Sequence, residues 1–200
     1  NFLGDGLRDA LDVRAEWPYE ETVAALRTHP EELHRALLAC GVTSALDCGG
    51  YAWSRRLAAD SLADHEAPRV RAAGPLLATF VPDVLSLPAE HQFVPMLDEA
   101  GVRAAVASHA AQGSDAIKVW IVLVDRTLEE VAPLVHAAGA AAREHGLPLI
   151  VHATDLGAAR VAVAAGAALL VHSVDDAPVD EGFVEDCLAS GVAYCPTLVV

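Results

Sequence analysis

Residues 114–124 read SDAIKVWIVLV, and both the fold and the chemistry turn on this stretch. Branched and aromatic residues on either side of a lysine predict a strand buried on both faces. Lys118 is the sole lysine of the chain, against twelve arginines. Everywhere else the sequence meets its need for positive charge with arginine. A buried ammonium loses its hydration, so burial lowers its pKa and favours the neutral amine. A neutral amine is a nucleophile, whereas a guanidinium stays charged. Two chemistries need such an amine. It can form a Schiff base with a carbonyl substrate, or it can add to carbon dioxide and become a carbamate, a carboxylate on a long arm. The ordinary alternative is a lysine snorkelling from an edge strand. Ile117, Val119, Trp120 and Ile121 oppose it by keeping water at a distance.

Outward from this strand, short apolar runs alternate with alanine-rich stretches at helical spacing. Residues 20–41 predict a helix broken near Pro30 and stopped at Gly41. A strand follows at 42–50 and a helix at 51–63. A strand near 69–73 precedes a second apolar piece, and residues 93–113 predict a helix. The strand 116–124 is followed by a helix over 127–146, opened by a Thr127–Glu130 capping box. Then come strand 147–154, helix 155–167, strand 168–174, helix 179–191 and strand 192–200. Gly41, Gly113, Gly146, Gly166 and Gly191 each end a helix just before an apolar strand. This punctuation predicts a parallel sheet with helices packed outside it. A closed eight-unit barrel takes about 250 residues, so 200 residues fall short of one. A doubly wound open sheet stays possible at this point, but no G-x-G-x-x-G follows a strand, so a dinucleotide site has no support. Residues 1–200 are expected to form one incomplete domain. The first residue is Asn1 and the last run, VAYCPTLVV, has no turn after it, so both ends read as cut from a longer chain.

The runs PLIVHAT and ALLVHSV echo each other and deliver His152 and His172 at their C-terminal sides, twenty residues apart. In parallel α/β folds, catalytic groups come from the C-terminal ends of adjacent strands. Lys118, His152 and His172 therefore converge. Neutral imidazoles are common metal ligands. A carboxylated lysine with two histidines would give a divalent ion three protein ligands and leave room for water. The remaining histidines read as surface or capping residues. Asp47 with Gly49 and Gly50 reads as a strand end and tight turn, with a pocket role as the second reading. Asp155 reads as a helix cap, Trp120 as core rather than as a border of the metal site, and Asp175–Asp176 as a solvated turn.

Composition narrows the partners. A formal net charge of −15 disfavours nucleic acid and anionic membranes. No apolar run reaches the roughly 18 residues of a membrane helix. Cys40, Cys48, Cys187 and Cys195 show no paired spacing and read as buried thiols, which favours a reducing, cytoplasmic setting. A small-molecule substrate is expected, and homo-oligomerisation is left open.

Four stretches in order resemble the amidohydrolase superfamily, specifically its prolidase and imidazolonepropionase-like branch. They are ALLACGVTSALDCGG, GSDAIKVW, LPLIVHATDLGAARVAVAAGAALLVHSV and GVAYCPTLVV. The resemblance implies strands two to seven of a (β/α)8 TIM-type barrel. It implies two divalent ions, zinc first with manganese or cobalt as alternatives, about 3.5–4 Å apart and sharing a hydroxide that attacks an amide or dipeptide-like substrate. Lys118, carboxylated by carbon dioxide, would bridge them, and His152 and His172 would hold one. Thr154 and Thr197 are candidates to touch substrate, and Thr197, from its place at the end of its strand, reads also as a simple cap. The family's first-strand His-x-His and eighth-strand Asp have no counterpart here, and Thr154 and Val171 stand where relatives often carry His and Glu. These 200 residues alone are therefore expected to be inactive. A Schiff-base lyase using Lys118, and a non-catalytic barrel remnant that binds a partner, are the rival readings.

Overall fold

A computed structural model describes residues 19–63, 66–82 and 91–196. Helices α1 (Tyr19–Thr28) and α2 (Pro30–Ala39) lead into strand β1 (Ser44–Asp47). Helix α3 (Ser54–Ala63), strands β2 (Arg69–Ala72), β3 (Leu76–Ala78) and β4 (Phe93–Pro95), and helix α4 (Glu99–Ala111) follow. The chain then alternates strictly: β5 (Ile117–Trp120), α5 (Leu128–Glu144), β6 (Leu149–His152), α6 (Leu156–Ala164), β7 (Leu169–Val171), α7 (Glu181–Ser190) and β8 (Ala193–Cys195).

Every strand pair is parallel. One sheet runs β4-β3-β5-β6-β7-β8 and a second pairs β1 with β2. The two are joined. Only Ala73–Pro75 separate β2 from β3, and the Asp115 amide donates to Ala72 O at 2.9 Å, carrying β2 alongside the entry to β5. The resulting arc is β1, then β2 with β3, then β5, β6, β7 and β8, with β4 added beside β3. This arc is strongly curved. On a flat sheet β1 and β7 would lie about 19 Å apart, at about 4.8 Å per strand. Instead Leu46 of β1 and Leu169 of β7 line one cavity of about 400 Å³. Curvature of this kind is the start of barrel closure, and the fold is the expected partial (β/α) barrel.

Strand alternation sorts the side chains. Ile117, Val119, Val151 and Leu170 face the helices, in one core with Val102, Val106, Val131 and Val135. Ala73, Ala116, Ile150 and Val171 cluster on the concave face with Cys48 and Leu169. Side-chain caps fix where the helices begin. Asp98, Asp155 and Asp180 each accept an amide of the first turn, and the Thr127–Glu130 capping box is complete.

Several expectations need correction. Residues 93–95 are a strand, not the start of a helix; the helix begins only after Asp98 caps it. Strand β5 stops at Trp120 rather than at Val124. There the Thr79 hydroxyl replaces the ladder, donating to Val122 O and accepting from Val122 N, both at 2.9 Å. None of the cysteines is fully buried: Cys40 and Cys195 are exposed, Cys48 and Cys187 half-buried. Cys40 caps the end of α2 and Cys195 sits on the edge strand β8, so neither is covered from both sides. Among the described residues, no helix is long and apolar enough to cross a membrane.

Candidate functional site

Lys118 lies at the centre of the arc, on the concave face, and is 3% exposed. Burial holds its amine down at about 8 against an ordinary 10.5, while Cys48 and Asp47 push weakly the other way. Gly49 lets the backbone after β1 close over the lysine stem. A Cβ built there would stand 3.1 Å from Lys118 Cγ and 3.0 Å from Leu76 Cγ, and its φ of 122° suits glycine. Gly49 therefore serves the pocket, the second of its two sequence readings, as well as the turn. Asp47, also buried, accepts the Gly49 amide at 3.2 Å, and burial raises its carboxyl above the usual range.

His152 ends β6 in register with Trp120, so both project from the concave face. His172 arrives by a different route. Leu169 and Val171 already face the concavity, so strict alternation would turn His172 outward. Its φ of 74° breaks the alternation, the one positive φ outside glycine among the described residues. The residue turns back, and the His152 and His172 rings meet edge to face with centroids 4.7 Å apart. Left-handed backbone at a non-glycine residue costs of order 1 kcal/mol and is concentrated at functional sites. Its amide is held by Cys195 O at 3.0 Å.

The pair is electrically neutral. Burial, with the charges of His172 and Lys118 adding to it, pushes His152 down to about 3. Burial and Lys118 also lower His172. Two lone-pair donors thus face one another beside a depressed amine. The structure brings together Lys118, His152 and His172. Thr154 is half-buried two residues beyond His152, and its carbonyl accepts the Asp175 amide at 2.9 Å. Thr197 lies outside the described residues.

Other features depart from the favoured sequence reading. Trp120 does not fill core; it is half-buried, with its ring 5.9 Å from His152 and 5.2 Å from Phe93. His34 and His109 are buried rather than superficial. The His109 ring spans Ala105 O and Pro75 O at 2.8 and 2.9 Å. Asp176 is exposed as expected but accepts the Leu156 amide at 2.8 Å, tying the loop after β7 to the start of α6. Cys48 packs against the concave cluster close enough to Lys118 to feel its charge.

No family model matches the chain, and no curated protein matches it. Solved structures do. An amidohydrolase is 21% identical with a TM-score of 0.68, covering 92% of this chain and 48% of its own. A prolidase complexed with N-methylphosphonate-L-proline is 24% identical, TM-score 0.68, covering 94% and 49%. A Xaa-Pro dipeptidase with bound methionine in the active site is 18% identical, TM-score 0.65, covering 92% and 48%. At these identities the likeness establishes a shared fold. The chain spans about half the length of these structures.

Proposed function

We propose that this chain carries the lysine- and histidine-bearing part of the active site of a metal-dependent amide hydrolase acting on small, dipeptide-like substrates. One observation carries the reading. The sole lysine is buried with a depressed amine, beside two neutral imidazoles whose rings touch. The amidohydrolase and prolidase names of the structures sharing this fold support the substrate class.

The donor set fits a metal in part. Among the described residues, no group of three or more His, Cys, Asp and Glu side chains stands together as a metal site. The third donor would be Lys118 itself. Its neutral nitrogen adds to the carbon of carbon dioxide, a proton leaves, and the product is an N-carboxylate. His152 and His172 would hold one divalent ion, with zinc best suited and manganese or cobalt also accommodated by nitrogen and carboxylate donors. The carboxylated Lys118 would bridge it to a second. When bound, such ions polarise an amide carbonyl and acidify water at neutral pH. The protein's own part is to keep both imidazoles deprotonated, to keep the amine reactive, and to hold the three groups on adjacent strands. Among the described residues no other His, Cys, Asp or Glu cluster completes such a pair, so hydrolysis would need ligands from outside this arc.

Carbon-13 bicarbonate supplies the direct test. A carbamate resonance in the wild type that disappears in Lys118→Arg supports the reading. So does a transition metal retained through gel filtration and lost in a His152→Ala, His172→Ala double variant. Stoichiometric trapping of a carbonyl compound on Lys118 by borohydride, with no carbamate signal, would move the assignment to a Schiff-base lyase.

A further inference from the structure

Trp120 is the member of this cluster that metal and amine chemistry leave without a role. It ends β5 on the same face as Lys118 and opposite His152, whose ring it meets edge to face at 5.9 Å. On its other side the Phe93 ring lies 5.2 Å away, tilted by 34°. Register explains how the two rings meet across an intervening strand. Leu76 pairs with Phe93, and Ala78 pairs with Trp120. All four therefore share the concave face, and the small side chain of Ala78 leaves room for the larger rings. Phe93, Trp120, His152 and His172 form an unbroken line of ring contacts.

Two features separate this line from ordinary core. The outward neighbours Ile117 and Val119 are 0% exposed, whereas Trp120 and Phe93 are only half-buried. The Trp120 backbone is also pinned before any ligand arrives. Thr79 N donates to Trp120 O at 3.2 Å, and the Thr79 side chain holds Val122. Such preorganisation removes part of the ordering cost of binding. The wall made by Phe93, Leu76, Ala78 and Trp120 contains no charged side chain.

We infer that Trp120 and Phe93 determine specificity in this site by receiving an uncharged aryl group of the amide substrate beside His152. The inference rests on the amide-hydrolase reading of the site. A flat ring gains offset or edge-to-face contact with both aromatic side chains as well as burial, whereas an alkyl group gains burial alone.

The test is titration of the protein, labelled with nitrogen-15 tryptophan, with three probes. N-benzoylglycine carries an aryl group on the acyl side, acetanilide carries one on the amine side, and N-acetylglycine carries none. At least one aryl probe should move the Trp120 indole resonance and bind about tenfold more tightly than N-acetylglycine. Trp120→Leu should abolish that preference and Trp120→Phe should keep most of it. Phe93→Ala, on the short added strand β4, should weaken the preference even if Trp120→Leu does not fold. Equal binding of all three probes, no shift with either aryl probe, or an unchanged preference in folded Trp120→Leu and Phe93→Ala overturns the inference. The carbamate signal and metal retention, read separately, keep the two claims apart. A carbamate on Lys118 with no preference dependent on Trp120 removes the wall and leaves the hydrolase. Aryl binding dependent on Trp120 with neither carbamate nor retained metal keeps the wall and counts against the hydrolase.

Discussion

The two faces of strand β5 do opposite things within four residues. Ile117 and Val119 point outward into the helices and are 0% exposed, in one core with Val102, Val106, Val131 and Val135. Lys118 and Trp120 point inward, where one carries a disfavoured charge and the other is incompletely covered. The outer face gains stability from burial and dispersion. The inner face gives some of it up. A parallel strand covered on both sides lets one residue of offset separate holding the fold from presenting a buried amine to the concave face. Substitutions at adjacent positions should therefore change stability in opposite directions.

The largest effect belongs to the outer face. Ile117→Ala removes a fully buried branched side chain and should cost about 3 kcal/mol, read from the urea midpoint. An unchanged midpoint would mean that the helices do not pack on β5 as described.

Next comes Lys118→Met, which should stabilise. The folded amine releases its proton at about 8, while the unfolded chain keeps it to an ordinary 10.5. Between those values the unfolded state binds more protons, so stability rises with pH through that window. The penalty is fully present below about pH 8 and is relieved by about pH 10.5. The shift corresponds to about 3 kcal/mol. The expected gain at pH 7 is smaller, about 2 kcal/mol, because the Lys118 charge also eases the buried Asp47. The check is a pair of urea titrations at pH 7 and pH 10.5, in buffers free of carbon dioxide. A variant less stable than wild type at pH 7 would contradict the assignment of a disfavoured buried amine.

Gly49→Ala comes next in size. The new methyl would stand 3.0 Å from Leu76 Cγ and 3.3 Å from Gly74 O at a backbone φ of 122°. It should cost about 1–2 kcal/mol. Because the methyl also crowds Lys118 Cγ at 3.1 Å, the double change with Lys118→Ala, which removes that atom, should be less costly than the sum of its parts. Strict additivity would show that Gly49 serves the turn alone.

Much of this arrangement is legible in the sequence, and the illegible parts share a cause. The glycine stops and apolar runs define the order of strands and helices because both are local signals. The solitary lysine and the echoed histidines mark the candidate site because parallel βα units bring successive strand ends together. His172 is the instructive case. Its position at a strand end is readable, but its inward turn depends on a φ of 74° that opposes the period-two pattern. The three-residue strand β4 is too short for any periodicity to show, and without it Phe93 cannot be placed beside Trp120. Burial of His109 depends on Pro75 O, thirty-four residues away. What the sequence hides is contact between distant segments and backbone held against its local preference.

The effect that is smallest at pH 7 separates the faces by slope rather than by size. His152 is held down to about 3, so the folded chain keeps this ring neutral where the unfolded chain protonates it, at an ordinary 6.5. Between about pH 6.5 and about 3 the unfolded state binds the extra proton, and stability falls as the pH falls. At pH 7 the ring is neutral in both states, so His152→Gln should change stability there little through this effect. Below pH 6.5 the variant should lose stability less steeply than wild type, with His172 keeping part of the slope because its own value is also lowered. Ile117→Val is the matching outer-face change. It should displace the whole curve downward by about 1 kcal/mol and leave its slope unaltered. Parallel curves for all three proteins would mean that protonation of His152 is not opposed by its surroundings, and that the inner face differs from the outer one in packing alone.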